Sequence, residues 1–243
     1  MSFINNPVLP PSSLVLVTGI SGFIGSHIAD QLLAAGYSVR GTTRDVAKSL
    51  WMKLLYDRKY GGGKFEVVAV PDIGQAGAFD ETLKGKWPPP RCGLEANKWC
   101  TSGVCGVIHT AFDMSFQPDP NQIIPPMVSG TLNLLKAAAR SQDVKRFVLT
   151  SSCAAAASPG APCTIDRDTW NEAAIRQAWA PPPYEPVRGF TVYAASKAQC
   201  EQDAWKWYRE QKPQFVLNTG KGPRNLASLP IRANAMDGQC YQA

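Results

Sequence analysis

The sequence predicts an α/β protein, a parallel sheet doubly wound with helices on both faces, and two observations carry that prediction. Apolar runs at 14–17, 37–43, 65–70, 104–110, 146–150 and 214–218 alternate with helical stretches near 23–35, 45–57, 126–140 and 193–211. Runs that are apolar throughout suit strands buried on both faces, and alternation with helices builds parallel crossovers. The second observation is the order of the opening unit. Leu14-Val15-Leu16-Val17 leads into Thr18-Gly19-Ile20-Ser21-Gly22-Phe23-Ile24-Gly25, and Ile28, Leu32 and Leu33 then line one face of a helix.

Each element has a local reason. Gly19, Gly22 and Gly25 suit a tight turn, close backbone approach to a phosphate and close packing of helix on strand, with the helix N-terminus facing the anion. The loop therefore reads as a pyrophosphate cradle made by Gly19, Ser21, Gly22, Phe23, Ile24 and Gly25. The second run ends at Arg44, with Asp45 behind it and Lys48 a turn later. An acidic residue at such a strand end binds the ribose 2′-hydroxyl of NAD, whereas an arginine accommodates the 2′-phosphate of NADP. Arg44 helped by Lys48 reads as an NADP(H) signature; the alternative is Asp45 on the ribose with Arg44 solvated. The fourth run ends in His109-Thr110-Ala111, where His109 reads as a satisfied core histidine. Arg146-Phe147-Val148-Leu149 forms the fifth strand, and Thr150-Ser151-Ser152 follows it. The Ala- and Pro-rich segment from Ala154 to Pro183 is expected to lie over the cofactor as a loop, with a short helix after Asp168.

Tyr-x-x-x-Lys occurs at Tyr60/Lys64, Tyr193/Lys197 and Tyr208/Lys212, so spacing alone selects none of them. Tyr60 and Lys64 bracket Gly61-Gly62-Gly63, which disfavours helix and reads as a loop. Tyr208 and Lys212 fall at a helix end before Pro213, where solvated side chains are expected. Only Tyr193 opens a long helical stretch, and positions four apart share a face, which sets the Lys197 ammonium beside the Tyr193 hydroxyl. That has a chemical use. A free tyrosine titrates near ~10, so poising it at neutral pH needs ~4 kcal/mol in favour of the phenolate, much of which a neighbouring cation can supply.

The glycine loop and Tyr193-Ala194-Ala195-Ser196-Lys197 together resemble the extended short-chain dehydrogenase/reductase superfamily, which includes the NAD-dependent epimerases and dehydratases. More closely, Gly36 to Arg44 and Val192 to Lys197 resemble the fungal NADPH-dependent aldehyde and ketone reductases and dihydroflavonol reductase. The similarity covers roughly residues 8 to 85 and 104 to 218. It implies a Rossmann-type fold and reduction of an aldehyde or ketone, with Tyr193 as proton donor, Lys197 lowering the tyrosine pKa and holding the nicotinamide ribose, and Ser152 hydrogen-bonding the carbonyl oxygen. Ser151 is the reserve for Ser152. By the same resemblance Asp72-Ile73 contacts adenine and Thr110-Ala111 lies under the cofactor. The alternatives are a nucleotide-sugar epimerase or dehydratase using the same triad, and an NADP-binding module without turnover.

Composition narrows the field further. The 243 residues and 44% hydrophobic content fit one α/β domain. Of the formal charge of +6, +2 falls in residues 86–103 and +2 in 219–243, and no helical stripe of Lys or Arg appears in the rest, so no nucleic-acid partner is expected. No apolar run reaches membrane-spanning length and the N-terminus lacks the regions of a signal peptide, giving a cytoplasmic expectation without membrane contact. The seven cysteines form no Cys-x-x-Cys pair and the two histidines are far apart, so free thiols are expected and a metal is not. No Gly-x-Ser-x-Gly is present, which disfavours a serine hydrolase.

Two places depart from the family pattern. Residues 86–103, including Trp87-Pro88-Pro89-Pro90, have no helical or strand period and are expected to loop out. After residue 218, where relatives build a substrate lobe, Thr219-Gly220-Lys221-Gly222-Pro223-Arg224 enters a tail of low order. The expected organisation is thus a Rossmann domain over 1–218, truncated before that lobe, and an aberrant tail over 219–243. Both departures begin at Gly-Lys, a dipeptide that GGT-AAG can encode with the splice-donor signal GTAAG inside it. Translated intron sequence is one reading, a genuine loop insertion and a genuinely short homologue the other, and the genomic codons separate them; without the lobe that walls the pocket, a poor or inactive enzyme is expected.

Overall fold

The computed structural model describes residues 8–84, 103–158, 164–166 and 168–220. Its strands are β1 (Leu14–Thr18), β2 (Ser38–Thr43), β3 (Phe65–Ala69), β4 (Val104–His109), β5 (Arg146–Thr150) and β6 (Val216–Gly220). All pair in parallel in the order β3-β2-β1-β4-β5-β6. The chain starts in the middle of the sheet, builds outward through β2 and β3, then returns to β1's other side for β4. Strand direction never changes, so each crossover is taken by helix or loop. The helices are α1 (Phe23–Ala34), α2 (Leu50–Tyr60), α3 (Pro120–Arg140), α4 (Glu172–Ala178) and α5 (Gly189–Gln211).

Strand β1 shows why a run that is apolar throughout is needed. Successive side chains point to opposite faces, and Leu14 and Leu16 enter one core with Leu134, Leu135, Phe147 and Phe215, while Val15 and Val17 enter the other with Ala29, Leu33, Met52 and Phe65. Each such buried side chain contributes ~1.5–3 kcal/mol. Helices α3 and α5 pack together over one face, and α1 and α2 over the other. Arg40 breaks the apolar pattern of β2 with cause: it pairs with Glu66 on β3, and its Nη1 donates to the carbonyls of Thr82 at 2.7 Å and Lys84 at 2.9 Å, tying down the turns that follow β3.

The predicted doubly wound α/β sheet is the one observed, with four differences of extent, the first being α2, which runs over Leu50–Tyr60 rather than 45–57. Helix α3 begins at Pro120, six residues before the expected start, although Pro125 and Pro126 lie inside it. Proline removes an i→i−4 bond, and the carbonyls this orphans belong to Asn121 and Gln122, both exposed to water. Helix α5 begins at Gly189, so Tyr193 stands one turn inside it. Strand β6 lies two residues later than expected and continues through Gly220, whose carbonyl accepts from Ser151 N at 2.9 Å; a boundary at 218 therefore cuts this strand. Apart from Gly103, Thr219 and Gly220, the expected insertion 86–103 and tail 219–243 lie outside the described residues. The short helix expected after Asp168 is α4. Tyr208 is not solvated as expected: its ring packs on Phe215 and its hydroxyl donates to the Phe215 carbonyl at 2.9 Å. Tyr60 closes α2 and donates to Asp30 at 2.7 Å.

Candidate active site

Every candidate residue gathers at the carboxyl ends of the strands, around the crevice between β1 and β4 where strand order reverses. Open α/β sheets bind ligands there. Gly19 follows β1 with φ +67°, and a Cβ on it would lie 2.9 Å from Ala111 Cα. At Gly25, in the first turn of α1, a Cβ would lie 2.3 Å from the Gly19 carbonyl oxygen. Both positions are thus closed to any side chain, and the backbone forms a cradle that only glycine leaves open. Gly22 caps α1 without a side-chain hydrogen bond, and the first turn carries no acidic residue, so its amides point outward unopposed. A pyrophosphate fits such a cradle. Ser21 and Phe23 are exposed at its mouth, with Ile24 partly buried behind them.

Beyond β2, Arg44 is exposed. The neighbouring Asp45 carboxylate turns back on its own chain, accepting from Ala47 N at 3.0 Å and lying 3.8 Å from Lys48 Nζ. Beyond β3, Asp72 accepts from Gly74 N at 2.8 Å. The Asn133 amide of α3 holds this loop by donating to the carbonyls of Ile73, Gly74 and Gln75 at 3.1, 3.0 and 2.9 Å. Asn133 gave no signal in the sequence, where it stands between Leu132 and Leu134 as one polar residue of a helix.

The seam between β1 and β4 is a hydrogen-bonded chain. Thr18 Oγ1 accepts from the amides of Thr110 at 3.0 Å and Ala111 at 3.1 Å, so its own hydrogen goes to His109 Nδ1 at 2.7 Å. The imidazole then carries its proton on Nε2, facing Thr131 Oγ1 at 3.4 Å. Burial, with the charge of Lys197 nearby, pushes His109 down to about 3. It is the satisfied core histidine that the sequence implied.

Helix α5 and the end of β5 meet at the candidate catalytic residues. Lys197 is buried, donates from Nζ to the Thr150 carbonyl at 2.9 Å and sits 3.7 Å from the centroid of the Phe112 ring. Burial pushes it down to about 8. Tyr193, one turn earlier, is half-buried among Phe112, Phe116 and Phe190, with ring centroids at 5.7, 5.4 and 6.0 Å. The two adjacent serines differ in what they have free. Ser151 is buried and its hydroxyl is given to the Glu201 carboxylate. Ser152 caps a 3₁₀ turn at Cys153–Ala155, its Oγ accepting from Ala154 N at 3.2 Å, which leaves its O–H to donate. Asn171, at the start of α4, ties that turn down by donating to the Ala154 carbonyl at 2.9 Å and Ser158 Oγ at 3.1 Å.

The sequence profile of the NAD dependent epimerase/dehydratase family matches residues 15–219, from β1 to β6. The chain belongs to that family. Among curated members, it is 44% identical over 218 residues to NAD-dependent epimerase/dehydratase terH of Aspergillus terreus, covering 89% of this chain and 59% of that protein. It is 41% identical over 221 residues to Aldehyde reductase 2 of Sporidiobolus salmonicolor, covering 90% and 59%. The chain therefore spans about three-fifths of the length of these relatives. Among solved structures, yeast methylglyoxal/isovaleraldehyde reductase Gre2 complexed with NADPH superimposes with a TM-score of 0.64 at 27% identity, over 86% of this chain and 57% of that one. No helix among the described residues of this epimerase/dehydratase-family chain is long and apolar enough to cross a membrane.

Proposed function

We propose that this chain carries the NADPH-binding and catalytic half of a reductase that converts an aldehyde or ketone to an alcohol. The observation that supports this best is the bond from buried Lys197 to the carbonyl of Thr150, which docks the helix bearing Tyr193 against the strand end bearing Ser152. The glycine cradle at Gly19, Ser21, Gly22, Phe23, Ile24 and Gly25 would hold the pyrophosphate. Asp72 and Ile73 would hold the adenine, Thr110 and Ala111 would underlie the cofactor, and Lys197 would hold the nicotinamide ribose. Arg44, with Lys48 near it, would meet the 2′-phosphate, the adjacent Asp45 carboxylate being engaged by its own turn.

NADPH, when bound, supplies the hydride. The protein does the rest. Tyr193 donates its phenolic proton to the carbonyl oxygen as general acid. Ser152 donates a hydrogen bond to the same oxygen as negative charge develops there, a contact whose loss lowers turnover by about 10²–10³. Lys197 places a positive charge where it favours the phenolate left behind. The substrate class is a small-molecule carbonyl compound in keeping with the reductases among the relatives, and the proposed compartment is the cytoplasm.

A panel of aldehydes, ketones and UDP-sugars, each with NADPH or NADH, tests this reading. The expected result is carbonyl-dependent oxidation of NADPH, slow in this chain and faster in a counterpart that carries the substrate lobe. Interconversion of a UDP-sugar without net cofactor oxidation would instead establish the epimerase or dehydratase reading, and tight NADPH binding with no turnover on any member would establish a binding module.

A further inference from the structure

Glu201 is the one buried carboxylate among the described residues, 1% exposed, and the proposed reaction gives it no task. Carboxylates are seldom buried unless partners compensate the loss of water. Glu201 stands on α5 one turn after Lys197, on the same helical face. It accepts the Ser151 hydroxyl, while Lys197 holds the carbonyl of Thr150, the residue before. Two consecutive residues at the end of β5 are thereby gripped by two consecutive turns of α5, and the next residue along is Ser152.

We propose that Glu201 is a positioning residue for the nicotinamide end of the site, fixing through Ser151 the strand end that carries Ser152 and keeping the buried Lys197 ammonium charged. This rests on the reading that Lys197 holds the cofactor ribose. The groups that face Lys197 are few. Among the described residues, they are Cys200 and Glu201 on its own helix and, across the seam on β4, His109. Burial pushes Lys197 down to about 8, opposed by Cys200 and Glu201. The Cys200 thiol is itself pushed up to about 12 by burial, so it is neutral at physiological pH, and His109 is neutral too. Glu201 is then the group on this helix left to favour the ammonium.

The test is binding rather than turnover: NADPH affinity of the full 243-residue chain, followed by fluorescence from about pH 6 to about pH 10. Wild-type affinity should hold steady below the lysine's pKa and fall above it. Glu201→Gln, which keeps an acceptor for Ser151 but removes the charge, should move that fall about one pH unit lower and weaken binding at pH 8 about fivefold. Lys197→Met should bind weakly with no such fall. Ser151→Ala, which keeps the charge, should leave the midpoint in place and lower carbonyl turnover. An unmoved midpoint in a folded Glu201→Gln chain overturns the inference while leaving the reductase reading intact; a wild-type chain that binds no NADPH overturns both. A second measurement needs no variant. The carboxyl-carbon NMR shift of Glu201 in the wild-type chain should report a charged group at neutral pH, and a protonated one overturns the inference.

Discussion

At the scale of single residues, the site separates groups that look alike in sequence. The three Tyr-x-x-x-Lys pairs have the same spacing, yet one tyrosine closes α2, one braces β6 and one sits within an aromatic cluster one turn before Lys197. Tyr193→Phe should therefore abolish carbonyl reduction with NADPH affinity nearly intact, whereas Tyr208→Phe should lower stability by about 1 kcal/mol and leave turnover alone; parallel kinetics and urea titrations of the two variants check this. Equal damage to turnover would mean that the wrong pair has been chosen. Arg44 is the proposed determinant of cofactor choice. A charge-assisted contact contributes about 1.5–3 kcal/mol, so Arg44→Ala should weaken NADPH about ten- to a hundredfold and leave NADH nearly unchanged in a binding titration. The candidate residues could be named from sequence because each lies within a short motif whose spacing suggests a purpose. Asn133, Asn171 and Glu201 were not, because each acts on a segment far away in sequence and resembles an ordinary polar residue of a helix or its cap.

At the scale of elements, the runs located all six described strands, most plainly β1, whose burial on both faces requires apolar residues at successive positions. Ends were less legible. The start of α3 was missed because proline is read as a breaker, and only the exposure of Asn121 and Gln122 shows why two prolines are tolerated there. The end of β6 was missed because Asn218 and Gly220 disfavour strand, and the last residues are held by pairing with β5. Helix α4 makes a prediction at this scale. Asn171 caps it by accepting from Ala174 N at 3.1 Å and also secures the turn after Ser152 through two donated bonds. Asn171→Ala should lower unfolding free energy by about 2–3 kcal/mol, read from chemical denaturation, and should lower turnover more than NADPH affinity, since the turn it releases carries Ser152.

At the scale of the whole molecule, the buried neutral His109 links stability to pH. Its folded value of about 3 lies below the ordinary histidine value of 6.5, so between those limits the unfolded chain binds more protons than the folded one. The stabilisation is complete above about pH 6.5 and is lost as the pH falls toward 3, by up to about 1.4 kcal/mol per pH unit. Unfolding free energies measured between about pH 5 and 6.5 should show this one-proton slope, and His109→Gln should remove it. The same histidine closes the seam at which strand order reverses. Thr18, His109, Thr110, Ala111 and Thr131 lace β1 and β4 to α3 across the very crevice where a dinucleotide would lie. A sheet stitched at that point cannot spread to admit its guest. The floor of the crevice is then a fixed anvil, its shape set when the chain folds.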